Sequence, residues 1–175
     1  RVKIGSTLIE AVRGNIVTME FDAIVNAANS SLLGGGGVDG AVHRAAGPDL
    51  VHECRLLGGR KTGQAKTTKG YRLPAEHIIH TVGPVWRGGG NGEPELLASC
   101  YRQSLERAVE VGARTVGIPA ISTGIFGYPL DRAAEVAVES IAGFLAERTD
   151  CFERIALVCF DDDAKSAFDT ALEEY

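Results

Sequence analysis

The sequence predicts an α/β protein whose sheet contains parallel pairs and carries helices on both faces. Two observations predict it. Strand-like and helix-like segments alternate along most of the 175 residues, the pattern of strands joined by helical crossovers. Three short, mostly apolar runs, at 23–28, 116–121 and 155–160, read as strands buried on both faces and hence as the centre of the sheet.

Each element follows from local signals. Residues 3–12 are rich in β-favouring side chains and predict one or two strands. Residues 23–28 form an apolar strand ending in polar side chains, and the glycine run 34–37 follows. A helix over 38–46 is broken by Gly47-Pro48, and a second covers 49–57 with Pro48 near its first turn. Alternation over 62–72 predicts a strand, and 77–82 another, closed by Gly83-Pro84. Residues 88–92 compose a surface loop. A helix over 95–111 stops at Gly112. A buried strand over 115–121 leads into the loop Ser122-Thr123-Gly124. In the helix over 130–148, Ala133, Val136, Ala137, Ile141, Phe144 and Leu145 make one apolar stripe. The last strand covers 154–160 and the last helix 164–172. No internal repeat or linker interrupts the pattern, so one domain over residues 1–175 is expected.

Composition narrows the function. The hydrophobic fraction is 45% and the charged fraction 23%, ordinary for a globular protein. A formal net charge of −5 argues against a surface that neutralises a nucleic-acid backbone, so nucleic-acid binding is not expected. An anionic ligand remains possible, because helix N-termini hold phosphate without net positive charge. Cys54, Cys100, Cys151 and Cys159 form no C-x-x-C pair and read as reduced thiols of a cytoplasmic protein. No apolar run is long enough to span a bilayer, and Arg1-Val2-Lys3-Ile4 lacks the apolar stretch of a signal peptide. The chain does not begin with Met, consistent with a trimmed start.

In open α/β sheets, ligands bind beyond the carboxyl ends of the central strands. Three features converge there. Asn29, just past the first central strand, is either a turn former or a ligand contact; Asn26 reads as structural, tying loop backbone together. Gly34-Gly35-Gly36-Gly37-Val38-Asp39 removes every Cβ ahead of a helix whose N–H groups point back at the same space, which suits a diphosphate. Asp39 and His43, at i and i+4, share one helix face. Asp39 is either a helix-charge stabiliser or a carboxylate that orients or deprotonates water beside His43. The third feature is the segment 122–129, whose N–H groups and hydroxyls can close over a phosphate from the other side. Phe126 can pack on a sugar or plug the core, and Phe160 can stack on a base or do the same. Other constellations fail. His77 and His80 are three apart in a strand and face opposite ways, a poor metal pair, so no metal is expected. The glycines lack a Walker-type Lys-Ser/Thr ending, and no G-x-S-x-G elbow occurs. His52 reads as a helix-surface residue.

Asn26-Ala27-Ala28-Asn29-Ser30 followed by residues 34–48, GGGGVDGAVHRAAGP, resembles the macrodomain signature, and in particular the MacroD-type branch that includes bacterial O-acetyl-ADP-ribose deacetylases. Residues 80–86, HTVGPVW, and 119–129, PAISTGIFGYP, match as well, so the resemblance covers almost the whole chain. It implies a three-layer α/β/α sandwich with a mainly parallel mixed sheet. It implies an ADP-ribose-binding hydrolase, with a non-catalytic ADP-ribose-binding reader module as the alternative, O-acetyl-ADP-ribose and mono-ADP-ribosylated proteins as further partners, and no cofactor or metal. A monomer without membrane attachment is expected. By position, the resemblance places Asn29 on the distal ribose and Gly36, Gly37 and Val38 in the first diphosphate loop. It places Ser122, Thr123, Gly124, Ile125 and Phe126 in the second loop, with Phe126 against the distal ribose and Phe160 on adenine. Asp39 is then the catalytic carboxylate, with His43 close by and Asn29 beside it. One position departs. The family usually reads Gly-Asp-Ile, with the Asp accepting from the adenine amine, where this chain has Gly14-Asn15-Ile16. Asn15 can accept the same bond without charge assistance, so Asn15 and Ile16 are expected to hold adenine more weakly, by about 1 kcal/mol.

Overall fold

The computed structural model describes residues 1–175. Seven strands, β1 (Val2–Ile4), β2 (Thr7–Arg13), β3 (Ala23–Ala28), β4 (Ala65–Lys69), β5 (His77–Val82), β6 (Thr115–Pro119) and β7 (Arg154–Cys159), form one sheet in the order β1-β2-β7-β6-β3-β5-β4. The five inner strands run parallel, and the two edge strands, β1 and β4, pair antiparallel with their neighbours. The apolar runs thus lie inside the sheet as expected, with β6 between β7 and β3.

Five helices cover the sheet: α1 (Gly37–Ala46), α2 (Pro48–Leu57), α3 (Glu93–Glu110), α4 (Leu130–Glu147) and α5 (Asp162–Glu173). Strand alternation sorts the core into two layers. Val25, Ile79 and Ile118 face α3, α4 and α5 in the larger cluster. Ile24, Ile78 and Val158 face α1 and α2 in the smaller one. The result is a three-layer α/β/α sandwich. No helix is long and apolar enough to cross a membrane.

Boundaries differ where the sequence carried weak signals. The strand expected over 62–72 is paired only over Ala65–Lys69, because Gly63 and Gly70 interrupt it. Helix α3 begins two residues early, since Pro94 fits the first helical turn. A short 3₁₀ turn, Ile16–Thr18, was not anticipated; Asn15 caps it, with its side chain accepting from the Val17 N–H at 3.3 Å. The four thiols are free. Cys54, Cys100 and Cys159 are buried, and burial pushes each of these three up to about 11.

Candidate functional site

The chain leaves β3 to one side, towards β5, and leaves β6 to the other, towards β7. The crevice beyond the carboxyl ends of β3 and β6 is therefore the topological switch point of the sheet. A cleft of about 270 Å³ opens there, with Asn29, Gly36, Asp39, Ser122 and Phe126 among its lining residues. The sequence features assigned to three separate segments meet in this one space.

The first wall is the start of α1. Gly36 caps it with extended backbone and no side-chain hydrogen bond. The first N–H groups of a helix have no intrahelical partner. Those of Gly37, Val38 and Asp39 accordingly form the partly positive end of the α1 dipole on the wall of the cleft. Gly35, from the same glycine run, also lines the cleft. The second wall is the segment after β6. Ser122 sits in the left-handed region at φ 67°, and Tyr128 N–H closes the loop on the Ser122 carbonyl at 2.9 Å. A strained non-glycine residue held by its surroundings is a frequent feature of ligand clamps. Ser122 Oγ is buried on this wall with no partner.

This second wall is braced from behind. The Trp86 N–H donates to the Phe126 carbonyl at 2.8 Å, and the Trp86 ring packs on Tyr128 with centroids 4.6 Å apart. The segment carrying Trp86 is fixed by Glu93. Its carboxylate accepts from the N–H groups of Arg87 at 2.8 Å, Gly89 at 2.9 Å and Asn91 at 2.6 Å. These bonds, Arg87's foremost, lower the Glu93 carboxyl to about 2.

Asp39 is 3% exposed and borders the cleft. Its Oδ1 accepts from Asn26 Nδ2 at 2.8 Å, while Oδ2 has no partner. His43 Nε2 lies 3.4 Å from Oδ1, within ion-pair range but outside hydrogen-bond geometry. Asn26 also contacts His80 Nδ1 at 3.1 Å. Its expected role in tying loop backbone is therefore corrected: Asn26 joins two side chains beneath the cleft. Helical spacing foretold Asp39 and His43. The contribution of Asn26 was hidden because it depends on which strand lies beside β3.

The remaining residues fall at different distances from the cleft. Asn29 lines it but is already engaged, with Nδ2 donating to the Gly34 carbonyl at 2.8 Å and Oδ1 accepting from Ser31 Oγ at 2.7 Å. Asn29 therefore forms the loop, and an amide side chain has further capacity on both atoms. Gly124 and Ile125 line the cleft, and Ile125 is 95% exposed. Thr123 does not; its hydroxyl donates to the Ala120 carbonyl at 2.9 Å and shapes the turn. His43 stands behind Asp39 and off the cleft surface. The Ile16 side chain is buried in the smaller core cluster, so only its backbone is available to a ligand. Asn15 lies outside the cleft lining, exposed at its cap. Phe160 follows the end of β7 and is 86% exposed, which rules out the core alternative for that ring.

An open α/β sandwich with a glycine-lined cleft at its switch point defines the class of protein. The comparisons then specify the family. A family model described as Macro domain matches residues 25–137. A macro domain-containing protein of Chlorobaculum tepidum is 56% identical over 167 residues, covering 95% of this chain and 96% of that protein. A Klebsiella pneumoniae protein named O-acetyl-ADP-ribose deacetylase is 48% identical over 170 residues, covering 95% and 97%. A variant of the Oceanobacillus iheyensis macrodomain, solved with ADPR, superposes with a TM-score of 0.93 at 39% identity, covering 99% of this chain and 96% of that one. The chain belongs to the macrodomain family.

Proposed function

We propose that this macrodomain binds ADP-ribose in the cleft and hydrolyses esters on its distal ribose. The substrates are O-acetyl-ADP-ribose and proteins carrying mono-ADP-ribose on carboxylate side chains. One observation carries the hydrolytic reading: beside the α1 N-terminus, a carboxylate buried at the cleft wall has one oxygen fixed and the other unpartnered. A reader module gains nothing from an orphaned carboxylate oxygen, which carries a desolvation cost. An enzyme gains a proton acceptor for water.

In this reading the diphosphate lies between the α1 N-terminus and the 122–126 loop. Asn29 and Phe126 hold the distal ribose, and Phe160 stacks on adenine. Binding energy from the adenosine end then fixes the reacting ester near Asp39. Asp39 Oδ2 takes a proton from water as the water oxygen bonds to the acyl carbon. The acyl–ribose oxygen bond breaks, and that oxygen takes the proton from Asp39 to become the ribose hydroxyl, which restores the carboxylate. A carboxylic acid is released. The names of the deacetylase relative and the ADPR-bound neighbour support this assignment.

The test is calorimetric titration with ADP-ribose, followed by turnover of O-acetyl-ADP-ribose in wild type and Asp39→Ala. Binding in both with turnover lost in the variant is expected. Binding without wild-type turnover would leave a reader module.

A further inference from the structure

We propose that His80, locked by Thr68, is a positioning residue for Asp39: it compels the Asn26 amide to turn its NH₂ group towards the carboxylate. The proposal rests on the hydrolytic reading of Asp39 given above.

Sheet register brings the parts together. Asn26 on β3 lies directly opposite His80 on β5, and both point to the α1 side with Ile24 and Ile78. Thr68 on antiparallel β4 is opposite Ile78, two residues along from the Lys66–His80 pair and so the diagonal neighbour of His80. All three side chains are wholly buried, so no water can repair a wrong hydrogen-bond polarity.

The polarity can be read from one end to the other. The Thr68 hydroxyl has a single proton, and it donates to the Lys69 carbonyl at 3.1 Å. Its oxygen, 2.9 Å from His80 Nε2, must therefore accept from that nitrogen. A neutral imidazole protonated at Nε2 leaves Nδ1 as an acceptor, and Nδ1 faces Asn26 Nδ2 at 3.1 Å. The same amide nitrogen donates its other proton to Asp39 Oδ1. Both protons are committed, and Asn26 Oδ1 is left buried with no partner. That orphan shows what the network favours: a flipped amide would set a carbonyl oxygen against both the carboxylate and the imidazole lone pair. Burial, reinforced by His43 and opposed by Asp39, lowers His80 to about 4, so it stays neutral at ordinary pH. The outcome at the cleft wall is an Asp39 whose Oδ1 is held and whose Oδ2 is left unpartnered beside Gly35.

Three measurements test this. In wild type, nitrogen NMR of the labelled imidazole should report His80 neutral and protonated at Nε2; a cationic or Nδ1-protonated ring at neutral pH would overturn the proposal. Thr68→Val removes the acceptor that sets the tautomer. Turnover of O-acetyl-ADP-ribose should fall about ten-fold or more, with ADP-ribose affinity unchanged within about two-fold. Thr68→Ser should restore turnover. Unchanged kcat in a folded Thr68→Val would reject the relay. Persistent turnover in Asp39→Ala would instead reject the underlying reading, so the two failures are distinguishable.

Discussion

Gly35 and Asp39 lie so close that a Cβ built on Gly35 would stand 3.1 Å from Asp39 Oδ2 and 3.3 Å from Asn29 Nδ2. Gly35 is absent from the positions with positive φ, so alanine meets no backbone strain there and the contact alone is tested. Both neighbours must yield by a few tenths of an ångström, and both belong to the proposed reacting end. Gly35→Ala is expected to lower kcat for O-acetyl-ADP-ribose by about ten- to a hundred-fold. Because the adenosine contacts are remote, Kd for ADP-ribose should change far less. A melting temperature near wild type checks that the loss is local, and an unchanged kcat would remove Oδ2 from the reaction.

Phe160 offers a cleaner separation of binding from stability. Its ring is 86% exposed, so Phe160→Ala opens no core cavity and the melting temperature should hold. If the ring stacks on adenine, the variant loses about 1 kcal/mol of ADP-ribose binding, roughly five-fold in Kd. Calorimetry with ADP-ribose and with ribose 5-phosphate separates the cases. Only the adenine-bearing ligand should weaken.

The contrast between Phe160 and Asn26 shows what a sequence can disclose here. Short-range chemistry was legible: the glycine run before a helix, the i, i+4 pair Asp39 and His43, and the strands whose apolar runs demanded a central place. Relationships set by strand order were not. That Asn26 faces His80 requires β3 to pair with β5 in one particular register, and no local signal encodes this. The side-chain directions of Ile16 and Thr123 were hidden for a related reason. Each sits in a segment close to the site, yet the Ile16 side chain turns to the core and the Thr123 hydroxyl turns to the Ala120 carbonyl. The Glu93 brace was equally hidden, since a carboxylate gathering three backbone N–H groups leaves no mark in composition or periodicity.

At Asn15 the structure sharpens an expectation from sequence. Its Oδ1 already accepts from the Val17 N–H at 3.3 Å, which leaves one lone pair for the adenine amine. The NH₂ group is a donor, as the amine is. Asn15→Asp would keep one oxygen on the cap and present the second as a charged acceptor. ADP-ribose should bind more tightly, by about 1 kcal/mol or roughly five-fold in Kd. The helical turn should also gain stability. Unaltered affinity in calorimetry would mean that this side chain does not meet the base.

Glu93 connects stability to the second wall of the cleft, and acid titration exposes it. Its folded pKa of about 2 lies below the ordinary 4.5, so between those values the unfolded chain binds more protons. Stability contributed by Glu93 is therefore complete above about pH 4.5 and is lost as pH falls through about 2. His80 works in a separate window. With a folded pKa of about 4 against 6.5, it also leaves the unfolded chain with more protons, and its contribution declines as pH falls from 6.5 towards 4. That difference corresponds to about 3 kcal/mol. Wild-type protein should thus lose stability in two stages on acidification, whereas Glu93→Gln should keep the upper stage and lack the lower. At neutral pH the variant should melt earlier, because the neutral amide accepts the three N–H bonds more weakly. Looser anchoring of the Trp86 segment should also reach Phe126 through the 2.8 Å bond between them, weakening ADP-ribose binding. Denaturant melts from pH 7 down to pH 2, paired with calorimetry at pH 7, check both effects. If the lower stage persisted in Glu93→Gln, another carboxylate would have to account for it.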